Sequence, residues 1–268
     1  MFRHLSAIWT ARHFLLALVK LDLRLRYRRS VLGIGWSLLH PLAMTAVFTV
    51  VFSQLFGGGD PVGYAAYALA GLAVWAFLRE AATLGSKAFL LNESYIRQSP
   101  MPYTIYTLRT VLGQVTHACL ALTVVVALVA VWKQDAGVLV GVLLAVPGLL
   151  LAVVAAWAVA TIGAFLTAFF HDVAHLLEVG AQIGFYLTPI MYRRSVLDDR
   201  GLGWLADINP VNMFLTLIRD PLLIGVPTGA QLAQWGGAYL AALAFTTVLV
   251  ALAVGIVSWL QKKVIFHL

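Results

Sequence analysis

The sequence predicts an all-α membrane protein with six transmembrane helices, an N-terminal cytoplasmic interface helix, and short helices between spans five and six. Three observations predict it. The 268 residues are 62% hydrophobic and 11% charged, with a mean hydropathy of +0.91, whereas soluble domains are about 45–50% apolar and about 25% charged. Uncharged apolar runs recur, each near the roughly 20 residues that cross about 30 Å of hydrocarbon. Finally, Arg3, Arg12, Lys20, Arg24, Arg26, Arg28 and Arg29 crowd into the N-terminal segment directly before the first such run.

The first span runs from Trp36 to about Phe56 and stops at the turn-rich stretch 57–61. The second starts near Val62 or Tyr64, meets Arg79 and Glu80 late, and gives way to Lys87 and a polar stretch over 92–100. The third occupies roughly 103–132. Residues 136–170 carry no charge, more than one simple crossing needs at about 1.5 Å per residue. Because no polar turn divides them, they are expected to form one long fourth span, bent at Pro147 and Gly148. The fifth, about 173–192, contains His175 and Glu178, and the sixth ends at Leu260 before Gln261, Lys262 and Lys263.

An even number of spans puts both termini on one side, and their basic residues make that side cytoplasmic. The first long apolar run begins too far in for a cleavable signal and lacks a small-residue cleavage site, so the first span is expected to remain in the mature chain. The net charge of +7 sits largely beside apolar spans, where anionic lipid headgroups rather than nucleic acid are the nearer partner. A single cysteine, Cys119, excludes an intrachain disulfide.

Residues 193–231 fall on the outer side. Their charges cancel, with Arg193, Arg194, Arg200 and Arg219 set against Asp198, Asp199, Asp207 and Asp220. The apolar runs 202–205 and 213–218 are too short to span, and Pro210, Pro221 and Pro227 interrupt the segment. Short helices resting at the outer interface, or partly re-entrant, are expected.

At about 100° per residue, Lys20, Arg24 and Arg28 form one stripe of the N-terminal segment, and Asp22, Arg26 and Arg29 another. Leucines lie on both sides between them, so the helix fits between two apolar neighbours, lipid and the span bundle. A plain orientation signal is the simpler alternative. Gly137 with Gly141, and Gly180 with Gly184, have the spacing that permits close helix packing.

Enzymatic readings find little support. His171 and His175 have the i, i+4 spacing of a zinc-binding helical face, with Glu178 the nearest third ligand. Asp172 stands where a metallohydrolase would carry its general-base Glu, so an intramembrane metal hydrolase is an incomplete match. There is no Gly-x-Ser-x-Gly elbow and no P-loop with which this chain would bind ATP. Arg79, Glu80 and Arg109 stand near the cytoplasmic ends of their spans, where ion pairing at headgroup level accounts for them.

The run 26–42, Arg-Tyr-Arg-Arg-Ser-Val-Leu-Gly-Ile-Gly-Trp-Ser-Leu-Leu-His-Pro-Leu, resembles the entry to the first span of ABC-2 type permeases that export lipid-linked polysaccharides. Residues 99–102, 187–192 (Leu-Thr-Pro-Ile-Met-Tyr), Asn209-Pro210 and Arg219-Asp220 resemble the family in order and placement. The resemblance implies an N-terminal interface segment, 1–35, and a six-span permease domain, 36–268, that works as a homodimer with two separate ATP-binding cassette subunits. No cofactor is implied in this chain; ATP and Mg belong to the partner. It also implies a docking loop over 92–99, with Asn92, Glu93, Ser94, Tyr95, Arg97 and Gln98 transmitting ATP-driven closure. Residues 193–231 become an external gate segment.

The cargo implied is a glycan on undecaprenyl pyrophosphate or another lipid carrier. Guanidinium groups suit multidentate phosphate contacts, which makes Arg24, Arg26, Arg28 and Arg29 the candidate entry rim. Sugars stack on aromatic faces, so Trp36, Phe48, Phe52, Phe185, Tyr186 and Tyr192 are the candidate channel aromatics. An ABC-2 exporter of a small drug or lipid is the alternative cargo reading.

Overall fold

A computed structural model describes residues 10–26, 28, 30, 33–56, 60–98 and 101–266. Among them the regular structure is entirely helical. Helix α1 (Arg12–Arg26) precedes α2 (Trp36–Phe56), α3 (Pro61–Ser86), the short α4 (Ala88–Leu91) and α5 (Glu93–Gln98), and then α6 (Thr104–Lys133) and α7 (Gly137–Phe169). After α8 (Asp172–Leu187) come the short α9 (Ser195–Asp198) and α10 (Gly203–Ile208), then α11 (Pro210–Ile224) and α12 (Gly229–Leu260).

Five of these helices, α2, α3, α6, α7 and α12, are long and apolar enough to cross a membrane. Their boundaries follow local chemistry. Asp60 accepts the Gly63 N–H at 3.0 Å and Pro61 occupies the first helical position of α3, where its missing N–H costs nothing. Thr228 and Gln231 form a reciprocal capping box at the start of α12, satisfying N–H groups that no preceding turn can reach. The long fourth run is one continuous helix, as expected. The Tyr239 hydroxyl donates to the Leu144 carbonyl at 2.8 Å, on the turn preceding Pro147.

The expected fifth crossing, 173–192, is instead a 16-residue helix, about 24 Å long at about 1.5 Å per residue and short of a hydrocarbon core of about 30 Å. Pro189 lacks an N–H, and the backbone leaves the helix at Thr188. Helix α11 does not stand apart from the bundle: it packs against α3 and α7, and Phe214, Leu215, Leu217, Ile218 and Arg219 are all buried. Nor does Pro221 interrupt it. This proline lies inside α11, where its ring removes one helical hydrogen bond without ending the helix.

Helices α3 and α7 form the centre, packing against each other and together against α6, α8 and α11. Of the most apolar stretch of α3, 61% is buried, against 6% for α2; α2 turns one stripe, with Thr45 and Ser53 buried, toward the bundle and leaves its other side outward. Close approach of α11 to α7 depends on glycine. A Cβ on Gly141 would lie 2.3 Å from the Pro221 carbonyl oxygen, and one on Gly148 would lie 2.7 Å from that of Leu217. Of the expected pair, Gly141 makes this approach directly, and a Cβ on Gly225 would lie 2.9 Å from the Gly137 carbonyl oxygen. Gly184 meets the Trp75 ring, whereas nothing approaches Gly180.

One end of the bundle gathers α1, the residues following α3 and the chain's C-terminal turn. There Phe89, Ile96, Tyr106, Phe165 and Val264 form a buried cluster, and Ala11 and Leu15 pack on Ile105. We call this the basic end.

Candidate functional site

A cavity of about 900 Å³ is bounded by α2, α3, α6 and α8. Its size falls within the range of ligand sites, about 300–1,000 Å³. Aromatic faces come from Trp36 on α2, Trp75 on α3, and Phe185 and Tyr186 on α8. Polar groups come from His40, Gln114, His117 and Gln182, and toward the basic end from Arg79, Glu80 and Glu178. A pathway built this way offers flat π faces to C–H surfaces and amide or imidazole groups to hydroxyls, while most of its wall is apolar.

Of the expected channel aromatics, Trp36, Phe185 and Tyr186 line this cavity, and Phe48, Phe52 and Tyr192 do not. Phe48 and Phe52 pair with each other along α2 at a centroid distance of 6.1 Å. The Tyr192 hydroxyl folds back to donate to the Tyr186 carbonyl at 3.1 Å. Trp75 was not legible as a site residue, because a tryptophan inside an apolar span has no local signal separating core from cavity. Its ring meets Phe185 edge-on at 5.9 Å.

The ionisable groups near the basic end are paired. Arg79 donates to Glu80, its chain neighbour. Lys87 donates to Glu178 at 2.5 Å, joining the end of α3 to α8. Both pairs are substantially exposed, where solvent screens the attraction and ion pairs add little to stability. His175 Nδ1 stands 3.8 Å from Glu178 Oε2, but the other oxygen of that carboxylate is held by Lys87. Among the described residues no three His, Cys, Asp or Glu side chains gather closely enough to hold a metal ion.

Within the expected docking loop, Ser94, Tyr95, Arg97 and Gln98 are exposed, and Arg97 donates to Glu93 at 2.8 Å across one helical turn. Ile96 turns inward onto the cluster at the basic end. Asn92 is also buried, 6% exposed; its Oδ1 accepts from Arg109 Nη1 at 2.5 Å, so it braces the loop from within. Ser99 lies outside the described residues.

On α1, Leu15 and Leu18 are buried, as is Ala11 just before it, while Leu16, Leu21 and Leu25 are exposed. The helix therefore has apolar surface both against α6 and outward, and Leu18 is buried apart from Leu21 and Leu25. Arg24 and Arg28 are exposed; Arg29 and the side chain of Arg26 lie outside the described residues.

At the opposite end, residues 188–192 run as irregular backbone between packed helices. Within an apolar bundle each unpaired carbonyl is costly, and side chains meet the demand. The Pro189 carbonyl accepts from Arg219 Nη1 at 2.8 Å, that of Met191 from Tyr64 at 3.0 Å, and that of Tyr192 from Tyr67 at 2.8 Å. The Arg219 guanidinium also lies over the Tyr67 ring at 4.1 Å, and Asn209 Nδ2 donates to Thr188 Oγ1 at 2.8 Å. Within residues 193–231, Arg194 pairs with both Asp198 and Asp207. The charge balance seen in the sequence is in part literal pairing.

A bundle of crossing helices with a polar and aromatic cavity between them is the architecture of a membrane transport subunit. The chain belongs to the ABC-2 type transporter family, whose model matches residues 13–223. It is a multi-pass membrane protein. Two proteins from Klebsiella pneumoniae, each called O-antigen export system permease protein RfbA, are similar to it at 24% and 25% identity. Each alignment covers 79% of this chain, and 81% and 80% of the respective relatives. A protein of the same name from Myxococcus xanthus is 22% identical over 81% of this chain and 82% of its own length.

Proposed function

We propose that the chain is the membrane-spanning subunit of an ATP-driven exporter that moves a lipid-linked polysaccharide outward across the cytoplasmic membrane. The glycan is carried on undecaprenyl pyrophosphate or a related lipid. The cavity between α2, α3, α6 and α8 carries this reading: Trp36, Trp75, Phe185 and Tyr186 offer stacking faces, and Gln114, His117 and Gln182 offer hydroxyl partners. The relatives named for O-antigen export support the same cargo class.

In this reading α8 with residues 188–192 makes the fifth of six crossings, and both termini are cytoplasmic. Residues 1–35 form the interface segment. Two copies of the chain bind two ATP-binding cassette subunits, which hold the ATP and Mg, through Ser94, Tyr95, Arg97 and Gln98. Arg24, Arg26, Arg28 and Arg29 receive the pyrophosphate at the cytoplasmic entrance, since planar guanidinium forks match phosphate oxygens. Residues 193–231 form the outer gate segment over the exit.

The test is reconstitution in vesicles with the ATPase partner. ATP should drive a lipid-linked glycan across, and that glycan should stimulate ATP hydrolysis more than small drugs or simple lipids do. Transport that survives complete removal of the partner would refute the coupling. Charge reversal at Arg24 and Arg28 should impair glycan-stimulated hydrolysis while leaving dimer assembly intact; equal loss of both would reduce the arginines to an assembly role.

A further inference from the structure

We infer that Arg109 is a positioning residue that ties the docking segment to the N-terminal helix, so that a displacement of residues 92–98 carries α1 with it. The inference rests on the reading of that segment as the ATPase contact, but the tie itself is a property of this chain alone.

Arg109 and Arg219 are the buried charged side chains among the described residues. Arg109 lies on α6 near the basic end, 8% exposed, and its donors are divided between two other elements. Nε donates to Asp22 Oδ2 at 2.6 Å and Nη2 to Asp22 Oδ1, a two-pronged grip on α1. Nη1 donates to Asn92 Oδ1 at 2.5 Å, and the Asn92 amide in turn donates to the Ala88 carbonyl at 2.7 Å, closing α4. The guanidinium also stands 5.7 Å from the centre of the Tyr95 ring on α5. One rigid planar fork thus touches α1, the residue joining α4 to α5, and α5 itself.

The two attachments depend on each other. A buried guanidinium without its carboxylate is strongly disfavoured, so loss of Asp22 draws Arg109 toward water and away from Asn92. Beside the fork, Leu15 and Val19 of α1 pack on Ile105, Leu108 and Leu112 of α6; such apolar contact is non-directional and does not fix position along the helix. The fork does. Asp22 lies among the basic residues of α1, so motion passed through Arg109 reaches Arg24 and the following rim directly. Lysine has a single point charge in place of the fork and holds one partner at a time.

The experiment places spin labels at Lys20→Cys and Ser94→Cys, both exposed positions, in the full chain with Cys119→Ala, and measures their distance distribution in lipid nanodiscs. Asp22→Asn, which changes neither labelled element's apolar packing, should broaden the distribution by about twofold or more, the consequence of losing a charged hydrogen-bond pair. Arg109→Lys should broaden it too, and Asp22→Glu should restore the narrow distribution. An unbroadened distribution in both Asp22→Asn and Arg109→Lys overturns the inference.

In the complex with the ATPase partner, Asp22→Asn should keep ATP hydrolysis within about twofold while glycan moved per ATP falls about tenfold, the loss expected when a link worth one such pair is cut. Unchanged transport per ATP in that variant would equally overturn it. A wild-type complex that moves no glycan with ATP would instead overturn the functional reading, and the distance measurement would still decide the tie.

Discussion

At the scale of single residues, the two buried arginines show how charge is used inside an apolar bundle. Arg219 is 5% exposed and makes three contacts, a hydrogen bond to the Pro189 carbonyl of the strap, a pairing with Asp220 beside it on α11, and a cation placed over Tyr67 of α3. Arg219→Ala is expected to destabilise the protein by about 3 kcal/mol, because it leaves a buried carbonyl and a carboxylate unpaired; thermal unfolding in detergent checks this. Tyr67→Phe removes only the hydroxyl that reaches Tyr192, and a smaller loss of about 1 kcal/mol is expected by the same measurement. The sequence marked Arg219-Asp220 and residues 187–192 as separate stretches. It gave no sign that Tyr64 and Tyr67 serve the strap, because a hydrogen bond spanning more than a hundred residues leaves no local pattern.

At the scale of elements, length and polarity decided most of what could be read in advance. Four of the five crossing helices fall within a few residues of their sequence-predicted bounds, because an uncharged run of that length has only one favourable environment. The fifth of them, α12, expected as the sixth span, also ends at the predicted Leu260. Helix α8 differs because Pro189 stops it, and α11 differs because its apolar run looked too short to enter the bundle. A 15-residue helix need not span if α7 offers it a glycine-lined groove. Gly141→Val should therefore displace α11, since even a Cβ would sit 2.3 Å from backbone oxygen. A loss of about 2 kcal/mol is expected from such overpacking, with a rise in hydrogen exchange confined to α11 and its contacts. Gly180→Ala, where nothing lies within 4 Å, is the control that should leave both unchanged.

At the scale of the whole molecule, the proposed pairing of two chains would draw on the outward apolar surface of α2 and α8. Val47, Val50 and Val51 of α2 are 55%, 82% and 53% exposed, and α8 exposes Leu176, Val179 and Ile183. These two helices also wall the cavity, so a second copy of the chain laid against them would close it into a pathway. Native mass spectrometry of the purified chain should find a species of twice 29.1 kDa, and Val50→Arg should shift it toward the single chain. A charged side chain on that face is costly both in lipid and in an apolar interface.

By itself the sequence determined that this chain is helical, lies in a membrane and has its cations gathered at one end. Those properties follow from composition and run length, which act residue by residue on transfer from water to hydrocarbon. The family resemblance of its motifs was legible for the same reason, being contiguous. Only the tertiary structure decided that Trp75, Gln114, His117 and Gln182 share a cavity, that Asn92 faces inward onto Arg109, and that α11 packs into the glycine-lined surface of α7. Each depends on which helix packs beside which, and nearly uniform apolar spans carry little sequence information about their neighbours, because lipid and another helix are almost equally apolar surroundings.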